Sequence, residues 1–113
     1  MPDIEIKEGV FMHEDGTITV ELSETVEHGH VRLDAIHLHR PCVKDLLDLD
    51  LHKIDDCDYR EVASFVSRLS GVPVETLYEL DAGDFLAVVG TAKGLLKRRT
   101  RQSIIRDSPK AAV

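Results

Sequence analysis

The chain has no tryptophan, two tyrosines and three phenylalanines in 113 residues, an aromatic share of 4%. So few rings leave little for bases or sugars to stack on, which argues against an RNA-reading sheet. Cysteine is equally scarce. Cys42 and Cys57 are too few for a disulfide scaffold and have no CxxC spacing, so a reduced, cytoplasmic protein is expected. No apolar run approaches the roughly 18 residues of a membrane span. The first residues, Met1 to Ile6, lack a basic region followed by an apolar run, so no secretory signal is expected there. A phosphate loop is missing too, because Gly90-x-x-x-Gly94 is not followed by Lys and Ser or Thr.

What is present is enough for one folded core. Apolar residues make up 42% of the chain. The net charge of −7 hides a division: residues 97–113 carry six Lys/Arg against one acid, and residues 1–96 carry eight against twenty. An acidic body of −12 repels nucleic acid, while a basic segment of +5 attracts phosphate or the body itself.

The organising stretch is Asp58 to Leu80. Asp58 suits a helix N-cap, and Glu61 stands where a capping box would send it back to the helix start. Val62, Phe65, Val66 and Leu69 form one apolar stripe. Gly71 and Pro73 end the helix. Val74 to Glu79 then makes a second short helix, with Leu77 and Leu80 restarting an apolar face. Asp81 caps a last helix, with Asp84 at its third position and Phe85, Val88, Val89, Ala92, Leu95 and Leu96 inward.

Upstream the pattern is strand. Ile4 and Ile6 alternate with Asp3, Glu5 and Lys7, Val10 to Met12 resumes the run, and His13 to Gly16 is a turn. Thr17 to Leu22 alternates cleanly. Ser23 to His30 reads as a polar connection. Val31 to Leu38 is a further strand whose alternation slips. Either a bulge near Ala35 brings both apolar sets to the core, or one end is buried on both faces. Pro41 opens a helical stretch in which Val43, Leu46, Leu47, Leu51 and Ile54 share a stripe and Leu49 falls off it. The expected fold is α+β. A small antiparallel sheet spans about 3–38, three to four helices span about 41–97, and a basic flexible tail covers 98–113.

Six histidines invite a metal reading, since His28-x-His30 and His37-x-His39 are i, i+2 pairs and Cys42 follows. No second pair has ligand spacing, so solvent-facing histidines are the preferred reading and no metal or other cofactor is expected. Asp48-x-Asp50-x-His52 begins like a calcium loop, but Lys53 replaces the glycine and Tyr59 the final glutamate. Cys57 sits among Asp55, Asp56 and Asp58, whose charges disfavour a thiolate nucleophile. No enzyme is expected. The candidate partner-binding residues are Leu49, Leu86, the Gly90-x-x-x-Gly94 pair that admits a close helix, and the basic Lys97, Arg98 and Arg99.

The order of these pieces resembles the phage tail assembly chaperones of contractile-tailed phages, the E protein and its Mu-like counterparts. The resemblance runs from about Ile18 to Leu96. It rests on the strand Ile18 to Leu22, the strand end Leu38-His-Arg-Pro41 and the Val43-x-Asp45-Leu46 helix start. Its most specific part is Leu69-Ser-Gly-Val-Pro73 followed by Leu77, Leu80 and Asp81-x-x-Asp84-Phe85. Members often carry Arg and an acid where this chain has His39 and Arg40. The resemblance implies a non-enzymatic assembly factor, of a phage or prophage, in the bacterial host cytoplasm. It implies binding to the tape measure protein, kept soluble while the tail tube assembles, with other tail assembly proteins and self-association as further partners. A longer frameshifted form also belongs to the family pattern. The alternative drawn from charge alone is a small nucleic-acid-associated regulator using the basic tail. The acidic body and the lack of a recognition helix count against nucleic acid as a partner.

Overall fold

A computed structural model describes residues 4–96. Four strands, β1 (Ile4–Lys7), β2 (Val10–Met12), β3 (Ile18–His28) and β4 (Val31–Leu38), pair in chain order as an antiparallel meander. The β2–β3 turn is built at Asp15, whose carboxylate accepts from the Thr17 N–H at 2.9 Å and the Thr17 hydroxyl at 2.6 Å. Gly16 supplies the positive φ of 88°.

Ser23 to His28, read from sequence as a connection, is instead the second half of β3. Val26, Glu27 and His28 pair with Leu33, Arg32 and Val31. The polar run hid this strand, because its side chains face solvent and only Val26 is buried. The irregularity expected near Ala35 lies opposite it, on β3. Glu21 pairs with Ala35 and Val26 with Leu33, so five steps on β3 match two on β4. Leu33, Ile36 and Leu38 all reach the core as a result.

The helices cover one face of the sheet. The stretch after Pro41 is not one helix but two, α1 (Val43–Leu46) and α2 (Leu51–Asp55). Asp48 adopts φ 65° between them, and Asp50 caps α2 by accepting from the His52 and Lys53 N–H groups. The break rotates the stripe. Leu47, expected inward, is 57% exposed, while Leu49 packs partly buried against the core.

The central helix α3 (Tyr59–Ser70) follows its sequence signals closely. Asp58 accepts from the Arg60 and Glu61 N–H groups at 3.1 and 3.2 Å, and Gly71 ends the helix at φ 78°. Glu61 does not close a capping box. Its carboxylate accepts from the Asp50 N–H at 2.7 Å and ties α2 to α3. Then come α4 (Val74–Leu77) and α5 over residues 82–96. Phe65, Val66 and Leu69 of α3 join Val88, Val89 and Ala92 of α5 against Ile18, Val20, Ile36 and Leu38 of the sheet in one buried cluster.

Candidate partner-binding surface

After the sharp turn at Gly71 and Pro73, α4 packs on α3 and brings Leu77 and Tyr78 to one groove with Tyr59, and Asp81 restarts the chain as α5. Asp81 accepts from the Gly83 and Asp84 N–H groups at 3.0 and 3.3 Å, so α5 begins beside α4 with little slack. Asp84 then does more than fill the third position. Its carboxylate accepts from the Ser23 N–H at 3.0 Å, the Ser23 hydroxyl at 3.1 Å and the Glu24 N–H at 3.3 Å. Two of these donors are backbone N–H groups within the β3 irregularity, and Asp84 pins the start of α5 to it.

Between α3, α4 and α5 this arrangement leaves an open apolar groove of about 350 Å³. Leu77 and Leu80 are buried beneath it, and Ala82 and Phe85 complete its wall. Its rim carries Tyr59, Tyr78 and Leu86, which are 62%, 54% and 52% exposed. Tyr59 meets Phe85 edge-on, with ring centroids 6.4 Å apart and planes at 63°. In a chain with five Phe and Tyr, three in one groove is a concentration of the residues that anchor interfaces.

Leu86 links the groove to a second feature. Leu86, Gly90 and Gly94 follow at i, i+4 and i+8 and are all exposed, so they form one stripe along α5. A Cβ built at Gly90 or Gly94 would meet nothing within 4 Å. The glycines therefore relieve no crowding inside the described residues and leave a smooth strip of backbone facing outward. Leu49 lies apart from this stripe, on the α1–α2 connection, and Lys97, Arg98 and Arg99 lie outside the described residues. Tyr59 and Tyr78 were missed by the sequence reading. Their signal was position, since each is an aromatic immediately beside an apolar stripe but off it.

Four of the six histidines make contacts within the fold. His28 Nδ1 lies 3.1 Å from the hydroxyl of buried Thr76, joining the end of β3 to α4. His13 and His37 both meet the Thr19 hydroxyl, at 2.6 and 2.8 Å. His39 points its two ring nitrogens at the carbonyls of Arg40 and Arg68, at 2.9 and 3.1 Å. Among the described residues no three His, Cys, Asp or Glu side chains are grouped to hold a metal ion. Cys57 stands 3.1 Å from Lys93 Nζ, a cation that the sequence reading did not place beside the neighbouring carboxylates. Asp45 is buried at the start of α1. Burial works to raise its pKa, but the Cys42 N–H and thiol outweigh it, with His39 and Lys44 adding to them, and hold the carboxyl below its ordinary value. Among the described residues no helix is long and apolar enough to cross a membrane.

The family model described as "Phage tail assembly chaperone proteins, E, or 41 or 14" matches residues 19–97. No curated protein and no solved structure matches the chain. The matched span begins inside β3 and takes in the irregularity, Asp84, the groove and the glycine stripe, leaving β1 and β2 outside it.

Proposed function

The chain belongs to the phage tail assembly chaperone family, and on that premise we propose that it binds the tape measure protein of a phage or prophage and keeps it soluble during tail assembly. The observation that carries this reading is the groove rimmed by Tyr59, Tyr78 and Leu86. A tape measure protein is long and helical, and such a client exposes apolar helix faces until the tube closes around it. An amphipathic helix can set apolar anchors in the groove and lie along Gly90 and Gly94, where no side chain obstructs its backbone. The role needs no chemistry, and it places the protein in the host cytoplasm, where the tail is built.

Co-expression with the tape measure protein encoded nearby tests the reading. The wild-type chain keeps that protein soluble and co-purifies with it. Tyr78→Ala and Leu86→Asp lose co-purification while their thermal unfolding stays close to wild type, because both side chains are more than half exposed. Failure of the wild-type pair to associate, with both well expressed, would sink the proposal. Equal capture by the Leu86→Asp chain would move the site away from this groove.

A further inference from the structure

The last described turn of α5 forms one wall of a second, smaller cleft. Lys93 and Leu96 face Leu51, Ile54 and Asp55 of α2 across about 110 Å³. Lys93 Nζ donates to the Asp55 carbonyl at 2.9 Å and ties the two walls together. Leu51 is half exposed at the edge. Leu96, the last described residue, lines this cleft. Asp55 lines it too, and the exposed Asp48 and Asp50 line a neighbouring depression that shares Leu51, with Lys53 as the cation there.

Residues 97–113 carry six Lys/Arg, one acid and one apolar pair, Ile104-Ile105. We propose that this segment folds back over α2, placing its basic residues against the aspartates and the Ile104-Ile105 pair at the cleft. Two observations select this occupant. The charges are opposite and local, +5 in the segment against an aspartate-rich arm. The reach is also ample. Ile104 is eight positions on from Leu96, and an extended chain covers up to about 3.4 Å per step, roughly 27 Å. The target is the cleft that Leu96 itself lines, so the closed loop is short and its entropy cost small. A cleft of this size takes one or two aliphatic side chains, not a partner helix. The surface is therefore distinct from the Tyr59–Leu86 groove, and the inference does not depend on the client.

Amide NMR spectra of the full chain and of Ile104→Asp/Ile105→Asp decide it. The double substitution moves the signals of Leu51 to Asp55, while those of the sheet and of Leu77 to Leu86 stay in place. Raising salt from about 0.05 to about 0.5 M moves the same α2 signals in the wild-type chain by screening the charges. Identical α2 signals in the two proteins would overturn the proposal. Shifts that grow with protein concentration, with a dimer in sedimentation, would also overturn it, since the segment would then reach a second copy.

Discussion

At the β3 irregularity, more residues run along one strand than along its neighbour, and Asp84 receives the donors this frees. Replacing it with Ala removes an acceptor shared by two backbone N–H groups and one hydroxyl. Ser23 and Glu24 are exposed enough for water to take over in part, so the expected loss is about 2 kcal/mol in urea unfolding. Asp84→Asn keeps one acceptor oxygen and loses less. Asp45 gives a prediction of a different kind. Its folded pKa is held below the ordinary 3.8, so the stability it adds is fully present above 3.8 and disappears as pH falls through the lower folded value. Acid unfolding followed by circular dichroism should therefore be steeper below pH 3.8 in the wild-type chain than in Asp45→Asn. Asp45→Asn should also be the less stable of the two at neutral pH. The sequence named both aspartates only by place, because Asp-x-x-Asp and a helix-start Asp have local readings ready. Ser23, the partner of Asp84, is 61 residues away and depends on the fold, whereas Cys42 meets Asp45 locally, three residues before it.

Elements were legible where local signals agreed with one another. The helix α3 has a cap, a stripe, a left-handed glycine and a proline, and it forms as read, with Phe65 and Val66 fully buried. The α1–α2 stretch failed because apolar spacing alone cannot register a left-handed Asp48 or a cap at Asp50. The second half of β3 failed because a strand with both faces near solvent loses its alternation. The last helix supplies the prediction at this scale. Gly90 and Gly94 weaken α5, and a methyl at either position meets open space. Gly90→Ala and Gly94→Ala should each stabilise the fold by about 0.5–1 kcal/mol, read as a higher midpoint in urea. Both should weaken capture of the tape measure protein, because the added methyl stands where a helix backbone would approach. A gain in stability with no change in capture would leave these glycines without a part in the client site.

For the whole molecule, charge and apolar surface are separated. The acidic arm at α2 lies by the last described turn of α5, and the aromatic groove lies by its N-terminal end. Composition revealed the charge division but not this placement, because the groove is assembled from three helices whose apolar residues all look like core in sequence. The two surfaces differ in their response to salt. Contacts between the basic segment and the arm weaken as the Debye length shrinks from about 10 Å at 0.1 M toward about 3 Å at 1 M. Burial of Tyr59, Tyr78 and Leu86 against an apolar helix does not. Capture of the tape measure protein should therefore hold within about twofold between 0.1 and 0.5 M NaCl, a range over which exposed ion pairs lose most of their strength. A chain truncated after Leu96 should match the full chain at the upper end of that range. If capture instead collapses with salt, the client is held by the acidic arm. Truncation would then strengthen capture at low salt, because it removes the segment that competes for the same aspartates.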